Sequence, residues 1–466
     1  MTKDLTQGSP IKQIFLFAIP FLIGNLFQQF YNIADMVIVG RTISPLAYAA
    51  VGSTGSLVWF ASGAVQSLTV GFAAVTARHF GAGDGECVKR SFASAIKLSA
   101  VISVVLAVIC VAFARPMLTL LRTPENLYED AYWYIVWIFA GLVATALFNL
   151  LSNMIRALGD SRTPLYFLIV ACVVNIALDF VLIMGAGMGT AGAGLATVIA
   201  QLLSGLLCIV YLVKKQPMLH VSKRHFASDW VMSKSLLSIG VPMAFLNMVL
   251  SVGSIVVQFV TNGFGDVYVS AQVTGSKVET FLTQPVLSFG SAVSVFAAQN
   301  CGAKKYRRVL DGSRKTTLMC FAWCAIAALI LLPFGKWIIR LIAGADVGET
   351  VVDHAYHYIL INTSLTLVLS MLVIYKSVLQ AVGRTTWSMI SGFTEILGRA
   401  GVAVLVVILV EAAIVNESNG FIVVCLANPM AWIFGLLTVL ADYILMRRKF
   451  KQLAVQEEAA NARGAA

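Results

Sequence analysis

The stretch LIGNLFQQFYNIADMVIVG, residues 22–40, lies in a run long and apolar enough to cross a bilayer, yet it carries Asn25, Gln28, Gln29, Asn32 and Asp35. Residues three and four apart are neighbours on a helix, so positions 25, 28, 32 and 35 share one face. A face with a carboxylic acid is expensive to turn toward lipid. The fold therefore depends on whether the chain supplies further membrane-length helices for this one to face.

Composition says that it does. Hydrophobic residues make up 59% of 466 residues and charged residues only 12%, with a mean hydropathy of +0.86, outside the range of soluble domains. Apolar runs of about 20 residues, each near the thickness of a bilayer core, recur along the whole chain. Between polar punctuation they read as twelve spans: 13–40, 46–77, 91–114, 131–154, 164–185, 190–213, 236–262, 268–300, 316–334, 354–379, 387–410 and 419–446. The expected fold class is an all-α polytopic membrane protein. The opening MTKDLTQGSPIK is polar and has no cleavage pattern of a signal peptide, so the first span is expected to be retained.

The net charge of +11 would suggest a nucleic-acid partner if it were gathered in one place. Instead most of the basic residues fall in alternate loops and at both ends, and few, such as Arg41 and Lys336, fall on the other side. The positive-inside rule then places both termini in the cytoplasm and the protein in the cell (inner) membrane. Spread over separate segments, this charge is no nucleic-acid surface. The eight cysteines form no CxxC pair and no cluster with histidine. They read as small buried residues, with no metal centre and no organic cofactor expected.

The chain also repeats itself. AIPFLIGNLFQQF (18–30) and GVPMAFLNMVLSV (240–252) both open a long helix with a proline; ARHFGAG (77–83) matches AQNCGAK (298–304); IRALGDSRTP (155–164) echoes LQAVGRTTW (379–387). Two pseudo-symmetric six-helix lobes follow, 1–213 and 236–446, joined by a basic linker at 214–235 and followed by a tail at 447–466. With an even number of spans each, the copies share one orientation, an arrangement common in transporters.

Five acids remain inside the spans: Asp35, Asp179, Glu279, Glu395 and Asp442. Glu395 and Arg399 stand four apart in the order that favours a helical ion pair, and Asp442 lies near Arg447. Glu279 has no partner at helical spacing and is a candidate for the substrate path. Asp35 and Asp179 likewise lack a basic neighbour, and Asn175 shares the face of Asp179. At 1.5 Å per residue, Asp35, Asp179 and Thr197 each lie ~8–10 Å below the outer ends of their spans. Asp35, Asn175, Asp179 and Thr197 are thus expected to form one cluster. Two carboxyls held close in a poorly hydrated place cannot both ionise cheaply. Such a pair takes up a proton on one side and releases it on the other, and Na⁺ would suit the same oxygens. A purely structural hydrogen-bond network would use the same residues. Pro20 removes one helical hydrogen bond and permits a kink in the first span.

The order and spacing of FYNIADMVIVG, ARHFGAGD, IRALGDSRTP and NIALD, over nearly the whole chain, resemble the multidrug and toxic compound extrusion (MATE) family. The resemblance implies two six-helix bundles arranged in a V that alternates between inward- and outward-open states while exchanging a drug for H⁺ or Na⁺. In the proton-coupled branch it implies an ion site at the positions of Asp35, Asn175, Asp179 and Thr197, with bending at Pro20. The sodium-coupled branch adds acids in the seventh and tenth spans, which are absent from 236–262 and 354–379 here, Asp353 lying just outside.

The expected function is export of amphipathic, cationic organic compounds by a monomeric antiporter. Phe27, Gln28, Tyr31 and Asn32, which share the first span with Asp35, and Glu279 are the candidate path residues, since aromatic faces attract cations. The competing reading is a flippase for a lipid-linked precursor, which would want a cationic cavity. A membrane-embedded enzyme is not expected, because the five histidines lie in or near loops without HExxH, and no GxSxG elbow is present.

Overall fold

The computed structural model describes residues 4–121, 123–227, 229–344, 347–412 and 414–464. In lipid every backbone N–H and C=O must be satisfied within the segment, which leaves the helix as the economical solution for apolar runs of this length. The helices are α1 (Pro10–Thr42), α2 (Pro45–Ser53), α3 (Gly55–Gly81), α4 (Gly85–Ala112), α5 (Ala114–Leu120), α6 (Glu125–Ala140), α7 (Leu142–Ala157) and α8 (Arg162–Asp179). They continue with α9 (Gly189–Lys215), α10 (Trp230–Asn262), α11 (Asp266–Gly302), α12 (Tyr306–Ala343), α13 (Glu349–Ala381), α14 (Thr386–Glu411), α15 (Glu417–Val424) and α16 (Ala427–Gly464). No strand occurs among the described residues. Among the described residues eleven helices are long and apolar enough to cross a membrane, and twelve when α6 and α7, bent by 45°, count as one span.

Three expected spans are interrupted. The run 46–77 breaks between α2 and α3 at Thr54, whose hydroxyl donates to the Val51 carbonyl at 2.7 Å and so competes with the helical pattern. The run 131–154 breaks at Gly141, where a Cβ would stand 2.1 Å from Cγ2 of Val198. Only glycine lets α9 approach this closely, and glycine is also a weak helix former. The run 419–446 divides into α15 and α16. Beyond Asp179, α8 widens into a π-helical turn at Phe180–Gly185. The expected linker is partly helical, with 3₁₀ turns at Pro217–Leu219 and Lys223–Phe226. It docks on α4, where Lys97 donates to the Phe226 and Ala227 carbonyls and Arg90 pairs with Asp229. Through the expected tail, α16 runs on unbroken to Gly464.

The chain divides into two compact units. The first holds the residues up to Gln7, Ile19–Met248 and Ala298–Lys304; the second holds Gly8–Ala18, Val249–Ala297 and the chain from Lys305 onward. In the first, Gln299 ties the end of α11 to its neighbours by donating to the Ala157 carbonyl at 2.7 Å. In the second, Phe15 of α1 stacks on Phe289, and Arg308 donates to Gln13 at 3.3 Å. The first unit contains α2 to α9, with α9 packed on α6, α7 and α8, and α3 on α4 and α7. In the second, α16 packs against α12, α13 and α14.

The repeat read in the sequence is written in the backbone too. Helices α1 and α10 are both 33 residues long with an internal proline, Pro20 and Pro242. Gly159 and Gly383 close the helices before α8 and α14 with φ of 89° and 87°. Gly83 and Lys304 do so after α3 and α11 with φ of 75° and 60°. Left-handed residues at these places satisfy the last helical carbonyls.

Candidate functional site

Asp35 owes its position to the turn that follows it. Ile38 and Val39 are buried in a cluster with Ala47, Val51, Tyr134, Ile138, Ile183 and Ala193, which sets the rotation of α1 and turns Asp35 inward. Asp35 is 5% exposed, and Asn175 and Asp179, one turn apart on α8, are fully enclosed. The Asp35 carboxyl stands within electrostatic reach of the Asp179 carboxyl and the Tyr134 hydroxyl. Tyr31, one turn before Asp35, donates to Oγ1 of Thr197 at 2.9 Å. The Thr197 hydroxyl in turn donates to the Ala193 carbonyl at 3.2 Å. Tyr31 stands within electrostatic reach of both carboxyls. Four helices, α1, α6, α8 and α9, thus meet at one polar point.

The chemistry of that point follows from its donors. Two carboxyls enclosed side by side cannot both carry charge cheaply, so a proton on one of them relieves the repulsion. Among the described residues, Oδ1 of Asp35, both carboxylate oxygens of Asp179 and both amide atoms of Asn175 are buried with no conventional partner. A buried acceptor left without a donor costs about 1–3 kcal/mol, and more if charged. The set is rich in oxygen and short of positive charge, so it can hold a proton or a hard cation.

Of the remaining candidates on α1, Gln28 and Tyr31 line a cavity of about 10 Å³ with Leu168, Ala171, Cys172, Ala200 and Gln201. That is room for one water, and Oε1 of Gln201 is buried there without a partner among the described residues. Phe27 and Asn32 are exposed, and Pro20 is buried. Two members of the site escaped the sequence reading. Tyr134 is hidden in the aromatic run YWYIVW, where every residue reads alike. Gln201 had a signal, since it lies four residues after Thr197 on the same helical face.

Glu279 belongs to the second unit. The Tyr358 hydroxyl donates to its Oε2 at 2.5 Å, and Ser276 and Asn428 donate to the same hydroxyl at 3.4 and 3.3 Å. Nε of Arg399 donates to Oδ1 of Asn428 at 3.1 Å. The expected Glu395–Arg399 pair does not form. Glu395 instead binds Nζ of Lys376 at 2.6 Å and accepts from Ser391 at 3.2 Å. A pair four residues apart must lie flat along a helix surface, and here α13 and α16 both pack against α14. Asp442 likewise pairs with Arg384 and not with Arg447.

The eight cysteines are free. One expectation about them fails: ligand atoms of His79, Asp84 and Cys87 lie within 4.8 Å of one another on the turn between α3 and α4. Neither CxxC nor a histidine pair announces this group, which the turn itself assembles. Oδ1 of Asp84 is already engaged as the cap of α4, accepting from Cys87 N at 2.9 Å.

Long apolar helices that carry enclosed carboxyls and ion pairs define a multi-pass membrane protein of the class that includes secondary transporters. The MatE family model matches residues 20–181 and 242–405. The probable multidrug resistance protein YoeA of Bacillus subtilis is 30% identical over 73% of this chain and 75% of its own. A FAD transporter of Shewanella oneidensis is 23% identical over 95% of each chain. The solved structure of a MOP superfamily transporter from Pyrococcus furiosus superposes with a TM-score of 0.86 at 19% identity, over 97% of this chain and 98% of that one. The chain belongs to the MatE family and is a MATE family transporter.

Proposed function

We propose that the protein is an efflux antiporter that exports amphipathic, cationic organic compounds in exchange for H⁺ by alternating access. Asp35 and Asp179 are its coupling groups, with Asn175, Thr197, Tyr31 and Tyr134 around them. The observation that carries this reading is the enclosed carboxyl pair with no cation of its own. A proton arriving from outside neutralises the pair, α1 changes its bend near Pro20, and the drug is released outward. Loss of the proton to the cytoplasm restores drug affinity. Na⁺ is the weaker alternative at Asp35, Asn175, Asp179 and Thr197. The protein is read as a monomer in the cell membrane with both termini cytoplasmic, a transporter and not an enzyme. Relatives named as multidrug resistance and export proteins support the reading of drug export.

A second reading, export of an anionic compound, rests on Arg399. The residue is 8% exposed, its Nη1 has no partner among the described residues, and one relative is named a FAD transporter. Proteoliposomes separate the readings. Under an imposed pH gradient the wild type should move a fluorescent cationic dye, and Asp35→Asn should abolish that movement. Dye transport driven by Na⁺ alone would reject the proton assignment. Failure with the dye alongside transport of FAD would select the anionic reading.

A further inference from the structure

Where α12 begins and α13 and α16 run on past the apolar part of the second unit, a cavity of about 600 Å³ opens. Its floor is aromatic. Tyr375 and Tyr443 stack with ring centres 4.0 Å apart and planes inclined by 9°. The Tyr443 hydroxyl shares a 2.8 Å hydrogen bond with Ser313, which holds the stack in place. Its rim is cationic: Arg307 and Arg314 come from α12, Arg447 and Lys451 from α16, and Asp311 is the one acid among the lining residues. Among the described residues no acid lies within ion-pair distance of Arg314, Arg447 or Lys451. Leu318 and Val455 stand at the same rim, 55% and 65% exposed.

Like charges brought together by two rigid helices repel, and an anion admitted to the cavity relieves that repulsion. The anion must be broad enough to touch residues on α12 and α16 at once. Exposed aliphatic side chains beside the cations add a second requirement, an apolar continuation of the ligand. Basic pockets between helices at the membrane surface meet both requirements with lipid phosphates. We propose that this cavity binds the phosphate headgroup of an anionic phospholipid. Arg314, Arg447 and Lys451 hold the phosphate above the Tyr375–Tyr443 stack, and the acyl chains leave past Leu318 and Val455. Free phosphate would find the same cations but nothing for the apolar rim to cover.

The test counts bound lipid on the full-length protein in detergent by native mass spectrometry. Cardiolipin, phosphatidylglycerol and phosphatidylcholine are titrated separately, and inorganic phosphate is added as a competitor. The two anionic lipids should bind at least about tenfold tighter than phosphatidylcholine, as each basic residue near a lipid phosphate contributes severalfold. The triple variant Arg314→Gln, Arg447→Gln, Lys451→Gln should lose that preference. Lys214→Gln, Lys215→Gln, Lys223→Gln, which removes as much exposed charge elsewhere, should keep it. Arg447→Glu alone, with an unchanged gel-filtration profile, should show the same loss and guards against a misfolded triple. Equal loss in both triples, an unchanged pocket triple, or displacement of lipid by equimolar inorganic phosphate would each overturn the proposal.

Discussion

At the scale of the residue, the second unit shows how a membrane helix bundle accommodates charge. Glu395 is 3% exposed and depends on Lys376 and Ser391 for its hydrogen bonds. Removing one partner of a buried pair leaves the other charge uncompensated, at about 3–5 kcal/mol, whereas replacing both with apolar groups is often neutral. Lys376→Met should therefore lower the Tm of the detergent-solubilised protein by several degrees, and Lys376→Met with Glu395→Leu should regain most of the loss. If the double variant melts no higher than the single, the Lys376–Glu395 bond is not what stabilises this part of the bundle. The same Tm series on Arg399→Met should respond less, since that guanidinium is held by an amide and not by a carboxylate.

At the scale of the element, the duplicated turns matter more than the duplicated helices. Lys304 occupies the left-handed place that Gly83 fills in the other copy, and it is the only non-glycine residue with positive φ among the described residues. A side chain in that region costs about 1–2 kcal/mol, because Cβ crowds the following carbonyl oxygen. Lys304→Gly should relieve the strain, and Gly83→Ala should introduce it. Thermal unfolding should rank the three proteins Lys304→Gly, wild type, Gly83→Ala in falling Tm. Any other order would mean that the turn is held by contacts other than its backbone preference. The halves of the interrupted span α6–α7 teach a related lesson. Gly141 looks like any glycine in a membrane run, and only its approach to Val198 explains the break.

At the scale of the whole molecule, the two units keep the same scaffold and carry different chemistry. Arg399 stands as far past Gly383 as Asn175 stands past Gly159, so one copy has an amide beside an acid pair where the other has a guanidinium. The proposed coupling through Asp35 and Asp179 would use only the first unit's side of that division. The orientation proposed from the distribution of charge is testable with native groups. Cys87 and Cys301 are the two cysteines that are not buried, and both lie on the side expected to be cytoplasmic. A membrane-impermeant maleimide should label them only after cells are permeabilised; labelling in intact cells would invert the topology.

Helical class and most of the spans were legible in the sequence, because a bilayer admits only chains that satisfy their own backbone, and apolar runs of about 20 residues announce that solution. The same cost of burying charge singled out Asp35 and Asp179. The fold decided what those rules leave free. Tyr134 joined the carboxyls because α6 bends at Gly141 and packs beside α9. Glu395 took Lys376, 19 residues away, over Arg399 at helical spacing. Spacing along one helix fixes which residues share a face, but the partner a buried charge finds is set by the rotation and packing of the neighbouring helices.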